Sequence, residues 1–382
     1  MTLFARRPAL RWLAPLAAVA LLTTAGSVVS SLTATARESL PPRSAAQLLV
    51  DVQQARLDGL SGTIVQTSDL GLPALPGVAG NNSAEFSSLV SGSHTMRLWY
   101  AGPQHVRLAL LGQFGESDLV RNGTDLWAWS SKDNTATHVA LPSGSGSGPD
   151  TSATPAPGSA LTPQQAADKT LKAIGPTTAV STDSTAVVAG RTAYQLVLQP
   201  RDQSSLIGSV RIAIDGATHI PTRVQVFAKG ASSPAFEVGF TSFDPSTPAS
   251  SVFGFNPPPG ATVTEHQAPS GSDPNHSQGA PGASQGPGGQ QAHVVGTGWT
   301  SVLVASVPSS SSGSSSGSGS SAPGGSLGSL SSTLKSLPTV SGSWGSGHLL
   351  QGTVFSAVLT NDGRLAVGAV PPAALYAALS AS

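Results

Sequence analysis

Gly313, Ser315 and Gly317 formally match a nucleophile motif, spaced as in G-x-S-x-G. The match fails on context. A nucleophile elbow needs a strand before the serine and a helix after it, whereas these residues sit in a tract that is nearly pure Ser and Gly. The eight histidines do not cluster in sequence: His94, His105, His138 and His219 are spread along strand-like runs, His348 starts another, and His266, His276 and His293 lie in or beside a Gly/Pro-rich stretch. Asp118, Asp125, Asp133 and Asp215 fall at expected turns, where aspartate serves the backbone. No carboxylate pair stands out for acid–base work. H-E-x-x-H, phosphate-cradling loops and a G-x-G-x-x-G in strand-to-helix context are missing. There is no cysteine, which removes disulfides, thiol chemistry, lipid attachment to an N-terminal cysteine and Cys-type zinc sites. The expectation is a protein without catalysis, metal or cofactor.

Composition narrows the remaining classes. The 382 residues include 43 Gly and 30 Pro, only 10% are charged, and the formal net charge is zero. Arg6, Arg7 and Arg11 are the only charges among the first 36 residues, so the rest of the chain is slightly acidic and has no electrostatic reason to hold nucleic acid. Those arginines precede an uncharged run, 12–32, and a small-x-small site at Ala34 and Ala36. Residues 1–36 therefore read as a cleaved signal peptide or as a retained membrane anchor, and both readings place the remainder outside the cytoplasm. Three stretches, 142–160, 266–291 and 309–325, have too few apolar side chains to offset the entropy of ordering. They separate a large block at 43–265, with 142–160 as a loop inside it, from a small C-terminal module at 294–382.

Within the large block, Ser44 can cap a helix over 44–58 ending at Gly59, and Thr162 with Pro163 can start another over 161–175. About 11 short strands with alternating apolar and polar residues fill the rest. This is the pattern of an antiparallel sheet with one buried and one wet face. Asn122-Gly123 is expected to form a two-residue type I′ hairpin that sets Leu119 opposite Leu126. The C-terminal module reads as a strand, a turn at Asn361-Asp362-Gly363, a second strand and a helix begun at Pro371-Pro372, with 294–307 supplying a further strand.

That hairpin carries Trp127 and Trp129, two apart and therefore on one sheet face with Val120. They are either cross-strand core aromatics or the wall of an apolar cavity. The strand–turn–"TDLWAWSSKDNTATHV" pattern resembles the central hairpin of the LolA-type superfamily of lipoprotein carriers, related lipid binders and RseB-like regulators of sigma-factor signalling. So does the order helix, strands, helix, strands, and the closing Phe253, Phe255, Pro257, Pro258 and Gly260. The similarity covers about residues 43–265.

The resemblance implies a mainly β, α+β fold: an incompletely closed antiparallel barrel with helices as a lid over a hydrophobic cavity. The cavity residues it suggests are Trp127, Trp129, Leu98, Tyr100, Leu108, Leu110, Ile212, Val226 and Phe240, if one face of each strand points inward. The lid is the two helices and the segment 69–90, with Leu70, Leu72, Leu75, Val78, Phe86, Leu89 and Val90, although that segment also reads as an insertion with incidental leucines. Carriers of this kind clamp the lid with an arginine, for which Arg97 and Arg107 are candidates only by lying on early strands. The implied function is a monomeric carrier or sensor of lipid or lipoprotein acyl chains at a membrane surface. The alternative is an RseB-like regulator that grips the extracytoplasmic part of a membrane-bound anti-sigma factor.

Overall fold

The computed structural model describes residues 40–72, 84–141, 162–267, 292–306 and 337–381. The N-terminal segment, the insertion 142–160, the Ser/Gly tract 309–325, nearly all of 266–291, and the lid residues Leu75 and Val78 lie outside them.

Helix α1 (Ala45–Gln54) starts where the cap predicts. The Ser44 hydroxyl accepts from the Gln47 amide and the Gln47 side chain accepts from the Ser44 amide, a reciprocal capping box. It stops earlier than 58, because Ala55 leaves helical backbone geometry and Arg56 donates to the carbonyls of Gln53 and Ala55. Gly59 is not its terminator. A Cβ there would sit 2.5 Å from the Thr247 backbone, so this glycine permits close passage into the first strand. Helix α2 (Pro163–Ile174) has the same box from Thr162 and Gln165, with Pro163 in its first turn and Gly175 as its C-cap. The two helices pack on each other through Leu48 and Ala167, both fully buried.

The strands form a twelve-stranded sheet in the order β12-β6-β5-β4-β3-β2-β1-β11-β10-β9-β8-β7. They are β1 (Leu60–Ser68), β2 (Gly92–Tyr100), β3 (His105–Leu111), β4 (Glu116–Asn122), β5 (Asp125–Ser130), β6 (Thr135–Ala140), β7 (Thr178–Val188), β8 (Arg191–Pro200), β9 (Ile207–Asp215), β10 (Pro221–Ala228), β11 (Phe236–Asp244) and β12 (Thr262–Gln267). The end strands β12 and β7 are not hydrogen-bonded to each other, so the barrel is incomplete, as the resemblance implies. All pairs are antiparallel except β12 on β6. Strand β7 runs unbroken from Thr178 to Val188, with an irregularity between Asp183 and Ala186. Asp183 causes it by accepting from the Thr185 amide and hydroxyl.

The β4–β5 turn corrects the expected hairpin. Asn122 pairs with Asp125, so the loop is Gly123-Thr124, and of the two only Gly123 has positive φ, at 64°. That suits a II′ turn rather than I′. Leu119 faces Ala128 and Val120 faces Trp127. The shift is two residues, so the face of each side chain is unchanged.

The C-terminal residues build their own sheet, β13-β14-β18-β17-β16-β15, from β13 (Ala292–Val295), β14 (Val302–Ser306), β15 (Thr339–Gly342), β16 (Gly345–Gln351), β17 (Ser356–Thr360) and β18 (Arg364–Gly368). Helix α3 (Pro372–Ala381) seals it with Leu375, Ala378 and Leu379 against Val302, Val304, Val358 and Ala366. Both sheets belong to one compact unit, 42–382. They join at one rim: Thr353 donates its amide to the Leu70 carbonyl, Leu206 donates to Ala369, and the Trp299 indole donates to the Thr178 hydroxyl. Among the described residues no helix is long and apolar enough to cross a membrane.

Candidate functional site

Strand register sorts the large sheet into two faces of opposite character. On one, rows of apolar side chains run from strand to strand. Ala128, Leu119, Leu108 and Leu98 form one row. Leu110, Met96 and Ile64 form the next. A third runs His94, Gln66, Val238, Val224, Ile212, Leu196 and Thr182, and a fourth Ser68, Phe236, Val226, Val210 and Leu198. Tyr100 pairs with Val106 and Leu60 on the same face.

Polar groups on this face are hooks for covering elements. The Thr182 hydroxyl donates to the Arg43 carbonyl (3.0 Å), which holds the start of α1 over β7. At the other side, Gln66 donates to the Leu89 carbonyl (3.1 Å) and Ser68 to the Val90 carbonyl (3.0 Å). His94, only 1% exposed, donates from Nε2 to the Ser91 carbonyl (2.8 Å). These groups seat a 3-10 turn, Phe86–Val90, on the sheet. A buried polar side chain must be paired, and here each pairs with backbone that crosses the apolar face. Glu85 and Lys132 form an ion pair that ties the turn to the β5–β6 loop.

Away from these covers the rows stay open. Leu98, Leu108, Leu126 and Val139 are only half-buried, and Leu119 is 38% exposed. A contiguous apolar surface under partial cover is a candidate binding surface, since large exposed apolar patches on a monomer commonly mark interaction sites.

Of the expected cavity residues, Leu98, Tyr100, Leu108, Leu110, Ile212 and Val226 share this face. Trp127 and Trp129 do not. They stand on the opposite face with Val120, Asp118 and Arg107. There the segment after β11 crosses the sheet: Phe255 packs on Trp127 and Trp129 with ring centroids at 5.3 and 6.3 Å, and Phe253 packs on His105. The tryptophans are therefore the base of a strap. Phe240 sits at a bulge opposite Ile64 and packs into a separate small core with Val188, Ala193 and Ala213. Among the lid residues, Phe86 and Leu89 lie in the seated turn. Leu70 is tied to the C-terminal sheet through its carbonyl, and Leu72 is half-buried.

The arginines also change role. Arg107 is on the strap face and holds Asp118 at 2.5 Å and the Val252 carbonyl at 3.3 Å; Arg97 shares that face through Ala109. Neither reaches the lid from there. Asp118 is a buried strand residue and not a turn residue. Burial, followed by the neighbouring Asp118, raises the Glu116 pKa beside this pair. His138 stacks on Trp127 (4.3 Å) between the carboxylates of Asp125 and Glu265, which clamps β12 to β6. Burial works against its charge, but the two carboxylates outweigh burial and raise its pKa.

Asp215 ends β9, where it accepts from the Ala217 and Thr218 amides as a turn aspartate does, and it also takes a two-pronged bond from Arg191 at 2.6 and 2.9 Å. Burial opposes its charge, yet Arg191 and Thr218 outweigh burial and hold its pKa down at about 2. A carboxylate with a depressed native pKa adds stability above its unfolded value and loses it as pH falls through the native one. Urea midpoints from pH 5 to 2 should therefore show the protein losing about 2 kcal/mol more than Asp215→Asn between roughly pH 4 and 2. Parallel curves would remove the pair from the stability balance.

The helix–strands–helix–strands–strap course is the one that the sequence resemblance implies. No family model matches the sequence, and no curated protein sequence is similar to it. Among solved structures, the chain is similar to the Pseudomonas aeruginosa MucA/MucB complex, at 13% identity and a TM-score of 0.39 over 87% of this chain and 94% of that one. An uncharacterized conserved protein from Thermus thermophilus is 10% identical, with a TM-score of 0.32 over 59% of this chain and all (100%) of its own. A LolA superfamily protein from Nitrosomonas europaea is 10% identical, with a TM-score of 0.21 over 56% and 99%. These likenesses concern the course of the chain and assign it neither ligand nor partner.

Proposed function

We propose that this protein is an exported, non-enzymatic binding protein that holds lipid or lipoprotein acyl chains against the lidded face of its large sheet. The observation that carries the reading is the unfinished burial of that face. Leu98, Leu108, Leu119, Leu126 and Val139 remain partly open beside covers that are seated by only a few side-chain hydrogen bonds. Each CH₂ of an acyl chain placed there gains about 0.8 kcal/mol. Opening α1 or the 86–90 turn breaks few bonds, so loading and release at a membrane surface are accessible.

A lipid with a pyrene-labelled acyl chain, titrated into the full chain, tests the reading. Saturable binding of one lipid per protein is expected, with pyrene protected from an aqueous quencher. A probe that stays fully quenched at every protein concentration would sink the proposal.

The second reading is an RseB-like regulator of a membrane-bound anti-sigma factor. What favours it is the second sheet docked at the rim where the lid segment begins, through Thr353 on Asp69 and Leu70. A carrier has no evident use for that contact, whereas a sensor can use it to relay lid position to a partner.

A further inference from the structure

A separate cleft lies where β11 parts from β10. The two strands pair only from Arg223 opposite Gly239 to Val226 opposite Phe236, while β11 continues along β1 as far as Asp244. The end of the β7–β8 hairpin approaches β11 at this point, with Ala189 and Gly190 at positive φ of 49° and 75°. The result is a cleft of about 400 Å³ lined by Val65, Thr67, Val187, Arg223, Glu237 and Phe240 among others. Its size lies within the range of small-molecule sites, roughly 300–1,000 Å³. Register puts Val65, Thr67, Arg223 and Glu237 on the face opposite the lid, so the charged groups of the cleft stand apart from the rows of the acyl-binding surface.

The chemistry centres on Arg223. The other arginines of this region are engaged: Arg107 by Asp118, Arg191 by Asp215, and Arg211 over the Phe227 ring at 4.3 Å. Among the described residues none accepts a hydrogen bond from Arg223 or pairs with its charge. Glu237 lines the same cleft, but its carboxylate is held by Gln225 at 2.9 Å instead. Gly239 makes room for the arginine stem, since a Cβ there would come within 2.8 Å of Arg223 Cγ. A guanidinium with its donors free, set among Val65, Val187, Val188 and Phe240, suits a ligand with one anionic planar head and an apolar body. The carboxylate of Glu237 nearby disfavours a doubly charged phosphate.

We infer that this cleft is a second binding site, for a small carboxylate with a short apolar body, anchored by Arg223. The test uses the full chain labelled with ¹⁵N, titrated with isocaproate, with its neutral isostere isocaproamide and with isopentyl phosphate. Isocaproate should shift the amide signals of Thr67, Gly239 and Ala189, and isocaproamide should bind at least about tenfold more weakly, as loss of a charge-assisted bond implies. Arg223→Gln should weaken isocaproate by a similar factor. Val187 is 41% exposed, so Val187→Trp should block the cleft without disturbing the fold or Arg223. Equal binding of acid and amide, no shift with any probe, tighter binding of the phosphate, or shifts confined to Leu98 and Leu108 on the lidded face would each overturn the assignment. The comparison of acid with amide needs no variant, and lipid binding on the lidded face is read separately by pyrene protection.

Discussion

Replacing Arg107 with methionine should cost about 3–5 kcal/mol of folding free energy, the usual consequence of stranding one member of a buried ion pair. Asp118 is 2% exposed, and its Oδ2 accepts from Arg107 Nη2. Its Oδ1 already lacks a partner among the described residues, so the guanidinium is what stabilises the charge. The same arginine donates to the Val252 carbonyl and lies over the Trp99 ring. Its loss therefore also loosens the 250–253 turn that starts the strap and packs Phe253, 1% exposed, onto His105. Methionine replaces much of the stem volume but none of the charge. The double variant Arg107→Met/Asp118→Leu should recover most of the loss, because replacing both partners by apolar groups removes the uncompensated charge. Urea unfolding followed by tryptophan emission measures both. A single-variant loss under about 1 kcal/mol, or a double variant no better than the single, would show that solvent reaches Asp118 and that the pair is not structural.

That pair marks the limit of what the linear pattern reveals. Alternation and caps locate both helices of the large block and strands β1–β6 and β8–β11, because period-2 burial and Ser/Thr capping are local signals. The parity of the β4–β5 hairpin is also local, and it already places Trp127 and Trp129 with Val120 and apart from Leu119. What no local signal supplies is which face the chain later covers. The strap at Phe253–Phe255 is more than 120 residues downstream of those tryptophans, and β12 is a polar run, "TVTEHQ", held in place by pairing with β6 and by His138. Large aromatics thus mark the strap face, while modest leucines make the candidate site. One clue was present: Gln66, Ser68 and His94 are polar residues at positions whose parity is that of Ile64 and Met96. Polar side chains on a buried face need partners, so they point to backbone lying across them, which is the lid turn. Asp118 carries a similar hint, as an acid at the parity of Val120 within a strand.

On the acyl-binding reading, Leu119→Asp should weaken binding of the pyrene-labelled lipid at least about thirtyfold while leaving the fold intact. Leu119 is central in the row Ala128–Leu119–Leu108–Leu98 and is the most exposed of them, at 38%. Because it is already part-solvated, a carboxylate there costs the free protein little. In the complex the same carboxylate forfeits about 1.5–3 kcal/mol of side-chain burial and is itself desolvated against hydrocarbon, which adds to the loss. Asn122→Asp is the matched control: it adds the same charge three residues along β4, exposed and on the opposite face, and should leave binding unchanged. Trp129→Ala separates the two faces in another way. It removes a ring packed on Phe255 and should lower the melting temperature, yet at temperatures where the variant is folded it should bind lipid as the native chain does. If Leu119→Asp binds normally while Trp129→Ala does not, the acyl chain lies under the strap and the assignment of faces is reversed. If neither variant changes binding, the chain is held by neither face of the β1–β6 half, and the covered rows around Ile212 and Val226 beneath α1 become the place to look.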